Sequence, residues 1–583
     1  MEDKKGKIKI SINGREIEAE EGWTILDVAR ENEIDIPALC QHPDLKIGAS
    51  CRVCVVKIKG ASGLKTACST KIREGMEITT DSPDIQRARQ TNLELIFAQH
   101  IEECHDCIWR YRCRLLELAK KYQVKIARFP DRKRKCPVYQ FGPAFIFDST
   151  KCIDCRNCAD VCERQGIGFY EVEGRGAEIK IIPSEDERKE CIYCGQCVVH
   201  CPAGAFEGVG EFEEIEKPLL EKGKVVVFQI APAARVSLGE EFGLPYGEIV
   251  TEKLVGAVKK LGVNKVFDTS LGADVTTMEE AGELIERLER GDNLPIFTSC
   301  CPGWVRYAEF YHPEILPFLT TVRSPHVILG GLVKTYWAEK EGINPKNIVV
   351  VSVMPCIAKK YEITRPELEV DGLRPVDYVL TTRELAFLLK KKNIDLTTAE
   401  PGQFDDPLGA ASGAGVIYGA SGGVMEAALR TACAKITGQE MPPLELAEAR
   451  GIKGLRRAEI KIGERTVKVV VASGISCAKK VLEELKANPR AYDYVEVMAC
   501  PGGCIGGGGQ PVPNDNEIKK QRAAGLYKID VEKGEEKETR LAHQNPTVKE
   551  IYRTYLTEKE KIRKICHTGY SQKKKGEIRK YYL

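Results

Sequence analysis

The 583-residue sequence contains no apolar run long enough to cross a membrane and no large excess of either charge. Lys and Arg number 87 against 85 Asp and Glu, so the formal net charge is +2. A balance this close to neutral does not indicate a nucleic-acid partner. The first residues lack the hydrophobic segment of a secretory signal. We therefore expect a cytoplasmic protein with no membrane insertion and no nucleic-acid partner.

Cysteine, in contrast, is abundant, with 24 residues. Most of them lie in tight clusters along the chain rather than at the scattered positions of a disulfide framework. Disulfides also need an oxidising compartment, and the sequence shows no export signal. The cysteines are therefore interpreted as ligands of metal centres.

Three cysteine motifs lie in the C-terminal two thirds of the chain, at 298–304 (TSCCPGW), 354–362 (MPCIAKKYE) and 498–504 (MACPGGC). Each follows a short apolar run of the kind that forms a buried, parallel strand. Loops at the carboxyl ends of such strands are where open α/β sheets bind their ligands. Five cysteines are thus predicted to converge at one place, and thiolates at that density indicate a soft metal centre.

These three motifs, in this order, resemble the signature motifs of the iron-only (FeFe) hydrogenases. The likeness extends to residues 413–419 (GAGVIYG) and on through 427–429. It covers residues 213–583 as the catalytic domain, and the N-terminal third resembles the accessory-cluster domains of the same family. The resemblance implies an enzyme that interconverts dihydrogen with protons and electrons.

The resemblance also implies a set of cofactor ligands. Cys301, Cys356, Cys500 and Cys504 would hold a 4Fe-4S cluster. Cys504 would in addition bridge to a two-iron unit that carries CO, CN and a dithiolate bridge, which completes the H-cluster. The residues implied to line or contact that unit are Ala231, Pro232, Met354, Lys359 and Met498, with Lys359 donating to a cyanide ligand.

A proton route follows from the same resemblance. Cys300, next to a cluster ligand, would exchange protons with the bridging group, although a lone cysteine is commonly a buried structural thiol. The route onward would comprise Glu280, Thr320, Glu283 and Arg287. Glu280 and Glu283 are three apart on a predicted helix over 276–289, so they share a face. Thr320 stands where the family pattern has serine and keeps the hydroxyl.

Two further positions depart from the family pattern. Ala233 stands where some members have serine, and His326 stands where glutamine is frequent. Neither change removes a ligand, and either is expected to tune the potential or the catalytic bias of the site.

The N-terminal residues have a pattern of their own. Alternation over 7–12, the Asn13–Gly14 turn and a return strand over 16–18 predict a hairpin, and Thr24 is predicted to cap a helix. The four cysteines that follow are Cys40, Cys51, Cys54 and Cys68. This resembles a plant-type 2Fe-2S ferredoxin with a longer first gap, and a zinc site is the alternative.

A second ligand group combines one histidine with three cysteines: His100, Cys104, Cys107 and Cys113. Spacing alone fits zinc or a 4Fe-4S cluster equally well, and His105 lies nearby. The neighbouring iron-sulfur motifs favour a 4Fe-4S cluster. So does the similar order of motifs in the large iron-sulfur subunit of respiratory complex I.

Two cysteine runs with identical gaps follow, as in the bacterial two-cluster ferredoxins, where the fourth cysteine of each run serves the other cluster. The first cluster is assigned Cys152, Cys155, Cys158 and Cys201, and the second Cys191, Cys194, Cys197 and Cys162. Glu163 replaces the usual proline after the first run, and zinc is again the alternative.

We therefore predict an α/β catalytic domain of mixed or parallel sheets flanked by helices, preceded by α+β ferredoxin-like domains. The boundaries are 1–81 for the 2Fe-2S domain, 82–125 for the His-Cys domain, 126–212 for the two-cluster domain, and 213–583 for the catalytic domain with a C-terminal wrapping segment. The predicted cofactors are one 2Fe-2S cluster, three accessory 4Fe-4S clusters and the H-cluster.

The predicted function is that of an FeFe-hydrogenase acting as the catalytic subunit of an NAD- or ferredoxin-linked, electron-bifurcating complex. The sequence has no strand–GxGxxG–helix fingerprint, so flavin and NAD would be bound by partner subunits in a hetero-oligomer. The alternatives are a stand-alone ferredoxin-dependent hydrogenase, a hydrogen sensor, and a subunit that only transfers electrons.

Overall fold

The computed structural model describes residues 6–100, 104–105, 107–132, 136–441, 454–535 and 539–582. Among these residues, no helix is both long and apolar enough to span a bilayer. Every residue predicted to bind a cofactor or carry a proton lies within the described ranges.

The N-terminal domain is a five-stranded sheet packed on a short helix. Its strands are Lys7–Ile12, Arg15–Glu20, Val55–Ile58, Lys65–Thr66 and Glu77–Thr79, with the order second, first, fifth, third, fourth. The helix Ile25–Glu31 begins at Thr24, whose hydroxyl and the Asp27 carboxylate form a capping box. The predicted hairpin and helix are confirmed, and the cysteine-rich loop lies between the helix and the third strand.

A helical segment and a second sheet follow. The helices Pro83–Phe97 and Arg114–Lys121 flank the His100 segment. The second sheet contains Phe206–Gly208, Phe145–Asp148, Pro137–Phe141 and, from the C-terminus, Ile578–Tyr582. Its helices are Asn157–Arg164 and Gln196–Val199, and a separate hairpin pairs Tyr170–Glu173 with Lys180–Pro183.

The catalytic region is built on two four-stranded sheets. The first is parallel throughout, in the order Lys265–Asp268, Val225–Ile230, Ile348–Met354, Tyr378–Thr381. The second runs Ile296–Phe297, Tyr494–Met498, Arg465–Ser473, Leu455–Ile462, and only its last pair is antiparallel. The predicted fold class is confirmed. The three motif-bearing strands divide between the two sheets, so the cysteine loops meet between sheets.

Helices cover both sheets. They are Phe212–Leu220, Thr251–Lys259, Thr269–Arg290, Pro302–Tyr311, Pro325–Leu332, Ala338–Glu341, Ala358–Glu362, Thr382–Lys391, Gly413–Val416, Gly423–Thr437 and Ile475–Ala487. A π-helical turn, Val333–Trp337, continues Pro325–Leu332. The longest helix starts seven residues before the predicted one because the Asp268 side chain caps it, accepting a bond from the Ser270 amide at 2.9 Å.

The C-terminal residues wrap around the catalytic region and reach the two-cluster domain. The helices Asn516–Glu535, Pro546–Thr554 and Lys559–Cys566 lie on the catalytic region. The chain then passes along the two-cluster domain, where the Gly576 amide donates to Glu190 at 2.8 Å, before its last strand joins the second sheet. The two regions are thereby tied together by a segment that is remote in sequence.

Candidate metal centre and active site

The first cysteine loop is fixed by hydrogen bonds to the neighbouring strand. The Thr298 amide donates to the Val495 carbonyl at 3.0 Å, and the Thr298 hydroxyl accepts from the Val497 amide at 3.1 Å. The Trp304 indole donates to the Thr298 carbonyl at 3.1 Å. The loops at 298–304 and 498–504 therefore leave adjacent strands in a fixed register, and the Cys356 loop approaches them from the other sheet.

All five cysteines of the three motifs line one cavity of about 80 Å³. A single water needs roughly 10–15 Å³ on the same measure, so the space admits a multi-atom group. The cofactor-contacting residues predicted from the sequence are also on its wall: Ala231, Pro232, Met354, Lys359 and Met498. Ala233, His326 and Tyr418 also line it.

The thiols of this cavity are deep in the protein. Burial raises the pKa of Cys301, Cys356 and Cys504, that of Cys356 to about 12, and neighbouring thiols add to the rise at Cys356 and Cys504. Their thiolate forms would be costly here unless a metal compensated the negative charge. The Cys301 sulfur already accepts a bond from the Ala499 amide at 3.4 Å.

The glycines on either side of Cys504 let backbone segments pack closely. At Gly503, which has φ +86°, an added Cβ would lie 2.6 Å from the Ser421 amide nitrogen. At Gly508 it would lie 2.5 Å from the Gly195 Cα of the two-cluster domain. Of the glycines at 502–503 and 506–509, Gly503 and Gly507 line the cavity.

One buried carboxyl group, Glu280, lies beside the cavity. Burial raises the pKa of Glu280 to about 8. The pKa of the Cys300 thiol is raised mainly by its own burial and next by the charge of the ionised Glu280. Glu280 Oε1 accepts a hydrogen bond from the Tyr494 hydroxyl at 2.5 Å. Glu280 therefore holds a proton at neutral pH.

The remaining residues of the predicted proton route form a connected group nearer the surface. The Thr320 hydroxyl donates to Glu283 Oε2 at 2.6 Å, and the Arg287 guanidinium is paired with Glu283 Oε1. Thr320 is fully buried, whereas the side chains of Glu283 and Arg287 are 16% and 11% exposed. Thr320, Glu283 and Arg287 are thus joined to one another, and the side chains of Glu283 and Arg287 are more exposed than those of Glu280 and Thr320.

A second buried carboxyl group, Glu362, lies on another side of the cavity. Its Oε2 accepts from Lys359 Nζ at 2.7 Å and from His326 Nε2 at 2.6 Å. Burial opposes ionisation, but the Lys359 ammonium outweighs it and lowers the pKa of Glu362 to about 2. Lys359 Nζ also donates to the Cys300 carbonyl at 3.2 Å, so it is held from two directions.

His326 is oriented by two strands of the parallel sheet. Its Nδ1 lies 3.1 Å from the Ser352 hydroxyl, which accepts from Gln229 Nε2 at 2.7 Å. Burial lowers the pKa of His326 to about 4, so the ring is neutral and its Nε2–H donates to Glu362. The histidine at this position is therefore part of the support of Lys359.

The two ferredoxin-like cysteine runs are interleaved. Cys201 interacts with Cys152, Cys155 and Cys158. Cys162 lies instead among the second run, where it interacts with Cys191, Cys194 and Cys197. Burial raises the pKa of all of these thiols. The grouping is the one expected for two clusters that exchange their fourth ligand.

The second of these groups touches the cavity region. The Cys500 thiol lies 3.6 Å from the Cys194 carbonyl, and the side-chain amide of Gln196 donates to the Gly506 carbonyl at 2.9 Å. An added Cβ at Gly303 would lie 3.4 Å from the Ile192 carbonyl. The Cys194 loop is therefore the contact between the two-cluster domain and the cavity.

The ligand groups predicted for the 2Fe-2S domain and for the His-Cys segment pack beside the group of Cys152, Cys155, Cys158 and Cys201. In the 2Fe-2S domain, Cys40 interacts with Cys51, and Cys54 with Cys68. Gly48 approaches the Cys155 carbonyl, and the His42 and His200 rings lie 4.4 Å apart.

In the His-Cys segment, His100 Nδ1 lies 2.9 Å from the Lys151 carbonyl. That contact fixes the tautomer whose Nε2 can act as a ligand. Cys104 interacts with Cys113, and Cys107 lies 3.5 Å from Glu207. Among the described residues, no group of three or more ligating side chains is placed around a single ion.

The residues present fit iron-sulfur groups. Thiols surround a multi-atom space rather than a point, backbone amides already donate to Cys301 and Cys201, and a cationic side chain reaches the same cavity. Amide donors to sulfur and a shell with few charges are what such clusters need.

Sequence reasoning missed two contributors to this site, Tyr494 and Glu362. Tyr494 lies in a run taken only as a buried strand, and Glu362 is the last residue of a motif examined for its cysteine and lysine. The available signal was their position: Tyr494 opens the strand that leads to Cys500, and Glu362 follows Lys359 by one helical turn.

Four family descriptions match the chain. "Iron only hydrogenase large subunit, C-terminal domain" matches residues 224–508, and "Iron hydrogenase small subunit" matches 516–573. "2Fe-2S iron-sulfur cluster binding domain" matches residues 5–83, and "4Fe-4S dicluster domain" matches 151–205.

Individual proteins are similar over almost the whole length. The NADP-reducing hydrogenase subunit HndD of Solidesulfovibrio fructosivorans is 39% identical, over 97% of this chain and 99% of its own. Iron hydrogenase 1 of Clostridium pasteurianum is 38% identical, over 94% and 96%. The solved structure of apo FeFe-hydrogenase HydA1 from Chlamydomonas reinhardtii is 38% identical with a TM-score of 0.56, and covers 62% of this chain and 99% of its own.

Proposed function

The chain belongs to the iron-only (FeFe) hydrogenases, and we propose that it is the catalytic subunit of a multi-subunit complex that exchanges electrons with a nicotinamide nucleotide. It is an oxidoreductase that acts on hydrogen, with 2Fe-2S, 4Fe-4S and H-cluster cofactors. We also propose that a partner subunit binds flavin and the nucleotide, and that the complex divides electrons between the nucleotide and ferredoxin by bifurcation. The complex is proposed to be cytoplasmic.

One observation carries the proposal: the similarity to a subunit named as NADP-reducing extends over 97% of the chain, N-terminal cluster domains included. The chain itself has no strand–GxGxxG–helix fingerprint. A nucleotide would therefore be bound by another subunit. The alternative is a stand-alone, ferredoxin-dependent enzyme.

The proposed cluster set is one 2Fe-2S cluster, three accessory 4Fe-4S clusters and the H-cluster. Contact between the Cys194 loop and Cys500 supports Cys194 as the last accessory ligand before the cavity. Gly48 and His42 of the first domain pack against the Cys155 and Cys201 group, which supports electron entry through the N-terminal domains. Cys301, Cys356, Cys500 and Cys504 would hold the H-cluster, which supplies the metal site where dihydrogen is cleaved or formed.

The protein's own part in the reaction is to hold and move protons. In this proposal the Cys300 thiol is the first group of the chain to take or give a proton, since it lines the cavity and lies close to Glu280. Glu280 stores the proton, and Thr320, Glu283 and Arg287 carry it outward. Lys359 presents a fixed positive charge, and Pro232, Met354 and Met498 exclude water.

The test begins with the full-length chain, matured and assayed anaerobically. Alone, it should turn over hydrogen with a one-electron dye and should not reduce NAD or NADP. Material purified from native cells should contain a flavin-binding partner and reduce one of the nucleotides. Nucleotide reduction by the chain alone, or a native enzyme with no partner that uses only ferredoxin, would contradict the proposal.

Point variants of the full chain separate electron entry from catalysis. Cys51→Ser should disturb the 2Fe-2S site and abolish nucleotide-linked activity in the complex, while dye-linked turnover persists. Cys136→Ser is the matched control, because Cys136 is a half-buried thiol with no assigned ligand role. Equal loss in both variants would argue against electron entry through the first domain.

A further inference from the structure

Tyr494 is a buried tyrosine that contacts the proposed proton route and that no motif contains. It is completely buried at the start of the strand Tyr494–Met498. Its ring packs against the helix Thr269–Arg290 in a cluster with Ala281, Leu284 and Leu288. Its hydroxyl donates to Glu280 Oε1 at 2.5 Å, a short bond for this donor and acceptor.

From this geometry we infer that Tyr494 is a positioning residue of the proton route, which holds Glu280 in one orientation and leaves Oε2 as the oxygen that carries the exchangeable proton. The inference rests on the proposed function, because it assumes that protons pass through Glu280. A carboxylic acid has one proton and two oxygens. Because Oε1 already accepts the Tyr494 proton, the proton of the acid itself resides on Oε2.

The backbone supports this assignment. Tyr494 pairs in register with Ile296, and the strand Ile296–Phe297 leads directly into the Cys300 loop. The same strand as Tyr494 leads to Met498 and Cys500. One sheet therefore fixes the position of the Tyr494 ring relative to the loop of Cys300, and the hydrogen bond transmits that position to Glu280.

Other polar groups around Glu280 do not replace this contact. The Tyr418 hydroxyl is bonded to Thr277 at 2.9 Å, and both Glu496 oxygens accept backbone amides, from Gly422 and from Met425. Glu283 is engaged by Thr320 and Arg287. In the described part of the chain, the Tyr494 hydroxyl is the group that donates to the Glu280 carboxyl.

The decisive variant is Tyr494→Phe in the matured full-length enzyme, since it removes only the hydroxyl. We expect hydrogen turnover with a one-electron dye to fall about 10-fold, near the upper value for a hydrogen bond between neutral groups. We also expect the infrared C=O band of protonated Glu280 to change frequency and to persist to higher pH, because the ionised form has lost its donor. The metal-bound CO and CN bands should remain.

The matched control is Tyr492→Phe, two residues before Tyr494, which removes another tyrosine-to-glutamate bond, the one to Glu484. It should leave turnover and the Glu280 band unchanged. If Tyr494→Phe lowers only thermal stability and keeps the wild-type carboxyl band and pH profile, the bond is structural and the inference is overturned.

Glu280→Gln distinguishes failure of the inference from failure of the proposed route. If this variant keeps full turnover with intact CO and CN bands, protons do not pass through Glu280 and the route itself is wrong. If it is inactive while Tyr494→Phe behaves as the wild type, the route stands and the positioning role of Tyr494 falls.

Discussion

Two carboxyl groups near the same cavity, Glu280 and Glu362, are both buried yet differ in charge. Burial raises the pKa of Glu280 to about 8, and its hydrogen-bond donor is a neutral phenol. The pKa of Glu362 falls to about 2 although burial opposes this. The cause is the Lys359 ammonium, which donates to Glu362 Oε2, and His326 donates to the same oxygen. The charge of the partner, and not burial, separates the two sides.

This difference in pKa suits the Glu280 side and the Glu362 side of the cavity to different roles. A group that titrates near neutral pH exchanges protons readily, whereas one ionised at every working pH acts as a fixed charge. The Glu280 side is suited to proton transfer and the Glu362 side to orienting Lys359. Cys300 joins them, since its carbonyl accepts from Lys359 and its thiol is affected by the charge of Glu280.

The two groups also affect stability in opposite pH ranges. The folded protein keeps the Glu280 proton where an unfolded chain, with a pKa near 4.5, has lost it. The stabilisation from Glu280 is therefore complete below about 4.5 and is lost as the pH rises through about 8. That from Glu362 is present above 4.5 and is lost as the pH falls through about 2.

The largest expected effect comes from Cys300→Ser, which tests whether protons use the Glu280 side at all. A hydroxyl is far less acidic than a thiol, so turnover should fall about 100- to 10,000-fold, the range of a positioned acid–base group. The Lys359 contact uses the Cys300 backbone carbonyl and should survive. Infrared bands of metal-bound CO and CN report assembly, and near-full activity with those bands intact would place the route elsewhere.

A smaller effect on turnover, with a larger one on stability, is expected from Glu362→Gln. The substitution keeps the shape but leaves Lys359 as a buried cation without its carboxylate, which costs about 3–5 kcal/mol when one partner of a buried pair is removed. Turnover should fall about 10-fold because the lysine loses its fixed direction. Anaerobic thermal unfolding and dye-linked turnover measure the two effects.

Lys573→Gln is the control for Glu362→Gln, since it breaks a half-exposed pair with Glu367 and should change stability by at most about 1 kcal/mol. An equal loss of stability in both variants would contradict the contrast between the buried charged side and the protein surface.

How much of this was predictable depends on the range of the interactions. The cysteine loops, the first hairpin and its capped helix follow from local patterns of apolar residues and turn signals. The division of the motif strands between two sheets depends on pairings such as Ile296 with Tyr494, which are almost 200 residues apart in sequence. The same holds for Ile578–Tyr582, which joins Pro137–Phe141.

The polar contacts around the cavity were less predictable still. Side chains such as Tyr494, Glu362 and Ser352 acquire their roles only when distant elements pack together. Their residue types are ordinary in a strand or a helix, so composition and period give no signal. The cysteine ligands are recognisable because their chemistry is rare, whereas the groups that orient them are not.

The smallest expected effect comes from Thr320→Ser, which tests whether the outer part of the Glu280 side depends on the hydroxyl or on the methyl group. Serine keeps the oxygen that donates to Glu283 at 2.6 Å, so turnover should stay within about threefold of the wild type. Thr320→Val removes the hydroxyl at nearly the same volume and leaves Glu283 with the Arg287 contact and the Thr321 amide. Turnover should then fall about 10-fold or more, because the proposed route from Glu280 to Glu283 lacks the Thr320 hydroxyl. If the valine and serine variants have the same turnover in dye-linked assays across pH, protons bypass Thr320. The proton-transfer role of the Glu280 side would then be limited to Cys300 and Glu280.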